Sequence, residues 1–117
     1  NSKTHTLYGI KNCDTVKKAR RWLDAHGVAY HFHDVRKDGL DAARLQRWVA
    51  AAGWDHVLNR NGTTFRKLPD AQKQDLDEAK AIALMVAQPS MIRRPVVEGA
   101  GGLLVGFDAD LYRGALL

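Results

Sequence analysis

From residue 4 to residue 10 the side chains alternate, Thr6, Tyr8 and Ile10 on one side and His5 and Leu7 on the other, the period-two pattern of a strand. The period then lengthens. Val16, Ala19 and Leu23 recur at helical spacing from a start at Asp14 or Thr15, and Gly27 is the residue type that ends helices. Val28 to Val35 alternates again, with Val28, Tyr30 and Phe32 opposed to Ala29, His31 and His33. Strand, helix and strand within about thirty residues predict a βαβ unit with parallel strands and a right-handed crossover.

Past Arg36 the texture changes. Asp38-Gly39 marks a turn, and Leu45, Trp48, Val49 and Ala52 stand at i, i+3, i+4 and i+7 of an amphipathic helix that Gly53 stops. Trp54 to Leu68 reads as a loop around Asn59-Arg60-Asn61-Gly62, and Asp70 to Gln74 as a short helix. A longer helix runs from an Asp77 cap to Gln88, with Ala79, Ile82, Ala83 and Val86 as its expected buried stripe. After Pro89 two apolar strands, Pro95–Glu98 and Leu103–Phe107, are joined by Gly99-Ala100-Gly101-Gly102, a linker short enough to require an antiparallel hairpin. Asp108 then caps a last helix through Leu111 to Leu116. The order βαβ, helices, ββα predicts an α/β chain of thioredoxin-like fold: one domain over 1–117, with a core at 4–35 and 89–117 and a helical insert at 36–88.

A chain of 117 residues is long enough for a core without staples, and its one cysteine rules out an internal disulfide. The opening residues lack the charged, apolar and small-residue order of a leader, and no apolar run approaches the roughly 18 residues of a membrane span. The expectation is therefore a cytoplasmic protein without membrane contact. Lysine and arginine exceed aspartate and glutamate by 18 − 13 = 5, and the sequence pI is about 9.6, a weak preference for anionic partners. The cations are dispersed and no zinc-finger spacing or aromatic base-stacking motif accompanies them, so nucleic acid is not an expected partner. His31 and His33 share a strand face but have no evident third ligand, so no metal is expected. The phosphate-cradling patterns GxxxxGK[ST] and GxGxxG are absent.

The chemistry concentrates on Cys13, at the junction of the first strand and first helix. The free N–H groups and positive dipole end of a helix stabilise an anion at such a junction, and Lys11, Lys17 and Lys18 add to the field. Asp14 opposes them unless it turns away to cap the helix. A lone cysteine is commonly a small buried hydrophobe, but Lys11, Asn12, Asp14 and Thr15 are polar company, and Cys13 is read as a reactive thiol. In a thioredoxin-like layout the loop before the third strand lies beside the loop before the first helix, which brings Arg94-Pro95 to Cys13. Arg93 and Arg94 sit in an extended segment, so their side chains diverge; Arg94 is assigned to the site and Arg93 to the surface. Pro95, at the start of a strand, is a candidate for a cis bond. Arg60 is either a solvated loop arginine or a group reaching over Cys13 from the insert.

Three blocks, Gly9–Thr15, Leu58–Leu68 and Pro89–Val96, together resemble the family of ArsC arsenate reductases and Spx regulators, in particular its small bacterial YffB-like branch, and the likeness covers essentially the whole chain. The resemblance implies that Cys13 is the nucleophile and that Arg60 and Arg94 bind an oxyanion or a carboxylate. In such reductases glutathione and glutaredoxin complete the reduction. Three positions depart from the pattern: Leu103 to Asp108 carries no arginine, Gly9 stands where the reductases have a histidine, and Val16 stands where many Spx proteins have the second cysteine of CxxC. The expected activity is a glutathione-dependent thiol reductase, with Lys11, Asn12, Arg60, Arg94 and Pro95 around substrate or glutathione, no tightly bound cofactor, and glutathione as co-substrate. The alternative from another class is a non-catalytic module that docks on RNA polymerase, as Spx does.

Overall fold

The computed structural model describes residues 5–99 and 102–117. Four strands, β1 (His5–Gly9), β2 (Tyr30–Asp34), β3 (Val96–Gly99) and β4 (Gly102–Val105), form one sheet in the order β2-β1-β3-β4. β1 and β2 are parallel, His5 opposite Tyr30 through Gly9 opposite Asp34, as a βαβ unit requires. β3 runs antiparallel to both β1 and β4, with Val96 opposite Tyr8 on one side and Val105 on the other. With α1 (Asp14–Ala25) between β1 and β2 and α7 (Ala109–Leu116) after β4, this is the thioredoxin-like α/β arrangement. The middle of the hairpin linker, Ala100-Gly101, lies outside the described residues.

The chain divides into two compact units, one running to Asp38 and resuming at Arg94, the other Gly39–Arg93. In the first, Leu7 and Val97 from the sheet, Val16, Ala19 and Leu23 from α1, and Tyr112 from α7 form one buried cluster. The stripe expected on α1 is thus the stripe that is buried. The two faces of β1 alternate as expected: Leu7 joins this cluster, whereas Tyr8 lies on the other face, its ring 5.0 Å from that of His33 and its hydroxyl donating to Glu98 at 3.2 Å. β1 is an inner strand, and Leu7 and Tyr8 are both buried.

Tyr112 anchors the C-terminal helix. Its hydroxyl donates to the Gly106 carbonyl at 2.9 Å, and the rings of Trp22 and Phe107 meet it edge-on at 5.6 and 5.1 Å. Asp108 caps α7 as expected, accepting from the Asp110 and Leu111 amides. Val28, expected at the start of the second strand, belongs instead to the end of α1. Its N–H bonds to the Leu23 carbonyl and that of Gly27 to Asp24, a Schellman closure with Gly27 at φ +67°, so β2 begins only at Tyr30.

The second unit packs α2 (Ala42–Ala52) and α6 (Glu78–Ala87) together, with a short 3-10 turn at Pro89–Met91 closing against α6. Leu45, Trp48 and Val49 are buried as expected. The stretch 54–68 is not a simple loop: it holds two one-turn helices, α3 (Trp54–Val57) and α4 (Thr63–Arg66), which bury Val57 and Phe65. On α6 the buried positions are Ala81 and Met85, whereas Ala79, Ala83 and Val86 are exposed. The core of α6, Ala81 to Ala87, is apolar on every side, so periodicity alone cannot choose a face; contact with α2 and α3 chooses it. The segment after Pro89, read as part of the sheet core, stays with the helices up to Arg93: Leu58 bridges Ile92, and the Arg93 N–H donates to the Val57 carbonyl at 2.7 Å. α5 (Asp70–Lys73) completes the unit.

Glycine substitutions test the packing in both directions. A methyl group at Gly9 would lie 2.7 Å from Cγ2 of the buried, branched Val16, so Gly9→Ala should destabilise the chain by about 1–3 kcal/mol through overpacking. Nothing lies within 4 Å of a methyl group at Gly114 in α7, so Gly114→Ala should stabilise it by roughly 0.5–1 kcal/mol. Urea midpoints of the two variants moving in the same direction would contradict this packing.

Candidate functional site

Ile10 leaves β1 and the chain turns tightly, the Cys13 N–H bonding to the Ile10 carbonyl at 3.2 Å. Cys13 is the N-cap of α1, with extended backbone (φ −97°, ψ 126°), and its carbonyl accepts the first helical bond from Lys17 N–H at 2.9 Å. Asp14 therefore opens the helix and does not cap it. The cysteine is half-buried, with its apolar side against the cluster of Leu7, Val16 and Tyr112.

Partial burial pushes the Cys13 thiol up, but more is working in the other direction. The Val16 N–H, the Arg94 guanidinium through a hydrogen bond and its charge, and the Thr15 N–H all favour the thiolate and hold the thiol below its ordinary value. No fully formed capping bond closes on the neutral sulfur, so these amides are donors that ionisation would engage. Because the folded pKa is depressed, the stabilisation this site lends the fold is present above the unfolded thiol pKa and fades as pH falls through the folded one.

Arg94 arrives from the segment before β3. The Arg94–Pro95 peptide bond is cis, Pro95 is buried, and its carbonyl accepts the Gly106 N–H at 2.7 Å. The two neighbouring arginines diverge as an extended chain requires. Arg94 turns to the sulfur, whereas Arg93 Nε donates to the His56 carbonyl at 2.8 Å within the second unit. Lys11 and Asn12 are exposed on the Cys13 loop. Arg60 belongs to the second unit, where its guanidinium lies 5.7 Å from the centre of the Trp54 ring.

Sequence reasoning missed Asp34. Its carboxylate accepts the Arg36 and Lys37 amides at 2.9 and 3.1 Å and is also bonded by the Lys11 N–H, which ties the end of β2 to the Cys13 loop. Slight burial pushes the Asp34 pKa up, but the amides of Lys37, Arg36 and Lys11 and the Arg36 charge outweigh it and hold the carboxyl below its usual range. An aspartate followed closely by a turn and Gly39 is the signal that could have flagged it. No helix among the described residues is long and apolar enough to cross a membrane.

The profile of the ArsC family matches residues 8–115. The solved structure of a YffB protein is 65% identical, with TM-score 0.94 over 97% of this chain and 99% of that one. The solution structure of an arsenate reductase (ArsC) related protein from Brucella melitensis is 54% identical, with TM-score 0.79 over 97% and 95% of the two chains. The global transcriptional regulator Spx of Streptococcus mutans is 27% identical over 113 residues, 95% of this chain and 82% of the regulator.

An ultraviolet titration of the thiolate should place the Cys13 midpoint below the free-thiol value of about 8.5. Arg94→Ala should raise that midpoint by removing a donor and a charge, and Arg93→Ala should leave it in place. A wild-type midpoint at or above the free value would contradict an activated sulfur.

Proposed function

This chain belongs to the ArsC family, and we propose that it works there as a glutathione-dependent thiol reductase with Cys13 as nucleophile. The observation that carries the reading is the Arg94 guanidinium bonded to a cysteine sulfur at the N-terminus of α1, with the thiol pKa lowered. Family members named as arsenate reductase-related support a thiol-based reduction in general terms. The lone cysteine supports the external co-substrate: a thiol with no partner in its own chain needs a second thiol to close a cycle.

The Cys13 thiolate attacks one sulfur of an oxidised substrate, a disulfide or mixed disulfide. A Cys13–sulfur bond forms, the substrate's S–S bond breaks, and the departing thiolate takes a proton from solvent. A glutathione thiolate then attacks the mixed species, returning Cys13 as thiolate while glutathione is carried off in disulfide form. A second glutathione thiolate attacks that mixed disulfide and releases the remaining substrate thiol, so two glutathione thiols are oxidised to one disulfide for each substrate disulfide reduced, and electrons balance without a bound cofactor. Arg94 holds the anionic group of substrate or co-substrate beside the sulfur and steadies each thiolate as it forms. Lys11 and Asn12 contribute from the loop, Pro95 shapes its floor, and Arg60 binds a carboxylate or oxyanion. Glutaredoxin is the macromolecular partner of this cycle, in the cytoplasm, where glutathione is reduced.

The Spx relatives support a second reading, a module that docks on RNA polymerase without turnover. Val16 stands where the second cysteine of a CxxC would be, so such docking would lack a disulfide switch within the motif.

Oxidised glutathione should add one glutathionyl group to Cys13, visible by mass, and excess reduced glutathione should remove it. Cys13→Ser should abolish adduct and turnover together. An unmodified Cys13 in a protein that polymerase retains would reverse the choice between the two readings.

In steady-state assays, Arg94→Ala and Arg60→Ala should each raise the apparent glutathione constant about threefold to tenfold or more, the size of one charge contact to a carboxylate. Arg93→Ala should change it far less. Equal effects of all three would reduce the assignment to general electrostatics.

A further inference from the structure

Beside the Cys13 loop lies a groove of about 310 Å³ lined by Lys11, Arg20, Phe32, Asp34, Lys37 and Asp38. We propose that this groove holds the zwitterionic γ-glutamyl end of the thiol co-substrate while its sulfur is at Cys13. The assignment deepens the glutathione reading and rests on it.

The lining is already arranged for a small charged ligand. Arg20 is fixed in place: its Nε donates to the Tyr30 hydroxyl at 3.0 Å, and its guanidinium stacks 4.4 Å from the centre of Phe32. Asp34 is committed to the amides of Arg36, Lys37 and Lys11, so its charge is spent on holding the walls together. Asp38 is different. Its side chain is exposed, and among the described residues neither it nor the ammonium groups of Lys11 and Lys37 has a hydrogen-bond or ion-pair partner. Cations and an open carboxylate around one small space suit a ligand that carries both an α-carboxylate and an α-ammonium. A simple oxyanion fits less well, because the open Asp38 carboxylate would repel it.

Size and reach agree. The volume is at the lower end of the roughly 300–1,000 Å³ of small-ligand pockets, enough for one amino-acid moiety and not for a folded partner. Lys11 is two peptide steps from Cys13, at most about 7.6 Å between α-carbons. An extended γ-glutamyl-cysteinyl unit covers a distance of that order, so one end can sit among Lys11, Lys37 and Asp38 with the sulfur at Cys13.

The test compares initial rates of mixed-disulfide formation at Cys13 with oxidised glutathione and with uncharged bis(2-hydroxyethyl) disulfide, taking their ratio for wild type, Lys37→Ala and Asp38→Asn. The ratio cancels any change in the ionisation of Cys13 itself. Both substituted side chains are exposed, so neither change disturbs the core. If the groove grips a zwitterion, the ratio falls about threefold to fivefold in each variant, the size of one exposed charge contact. General attraction of the anionic disulfide predicts opposite signs, since removing the Asp38 charge would then raise the ratio. The amide resonances of Lys37 and Asp38 should also shift on titration with unreactive S-methylglutathione. A ratio unchanged in both variants, or raised by Asp38→Asn, overturns the groove assignment while glutathionylation of Cys13 stands. If Cys13 reacts with the uncharged disulfide but not with oxidised glutathione, the glutathione reading falls and the groove assignment with it.

Discussion

The backbone of Gly9 runs directly beneath the side chain of Val16, so close that a methyl group at position 9 would collide with it. Because the end of β1 can approach the first turn of α1 this nearly, the chain between them closes in a short turn and Cys13 lands at the N-cap. The same contact seats Val16 in the core with Leu7 and Tyr112, which fixes the direction of the helix and hence where its free amides point. A histidine at position 9, the residue of the reductases that this chain resembles, would have no room above this valine. Stability and chemistry meet in a single steric constraint: the packing that orders the first unit also aims the helix terminus at the sulfur.

The second component of the site comes from far along the chain, and sheet pairing brings it there. β3 lies against β1 with Val96 opposite Tyr8, so the residues preceding Val96 must pass the end of β1 where the Cys13 loop begins. Buried Pro95, tied to Gly106 through its carbonyl, holds that segment, and Arg94 is delivered to the sulfur. Partial burial of Cys13 alone would favour the neutral thiol; amides and guanidinium outweigh it only because they converge on the same atom. At the end of β2, parallel to β1, the Asp34 carboxylate is favoured in its ionised form by the Lys11 amide of the same loop.

A single thiol without a resolving partner in its own chain places the burden of specificity on whatever arrives from solution. The groove of Lys11, Lys37 and Asp38 and the guanidinium of Arg94 flank the Cys13 loop and differ in character, one mixed in charge and one cationic. That difference is suited to holding the two ends of a small peptide thiol in one orientation.

Much of this was determined by the sequence by itself. The valine, alanine and leucine stripe of α1, the antiparallel hairpin, the Asp108 cap and the divergence of Arg93 from Arg94 all follow from spacing along a local backbone, because each depends on the geometry of one element or one turn. Cys13 was legible too, since a polar loop between an apolar strand and an amphipathic helix marks a helix terminus. Only the tertiary structure decided the rest. The one-turn helices 54–57 and 63–66 are too short to display a period. The α6 sequence is apolar on all sides, so burial of Ala81 and Met85 was chosen by the helices packed against it. Val28 went to the cap of α1, and Asp34 acquired its role by bonding an amide from another strand's loop. Val28 is decided locally, by the Leu23 carbonyl five residues before it, but for α6 and Asp34 the deciding partner is distant in sequence, and a pattern read along the chain holds no information about a surface that exists only once the chain has folded.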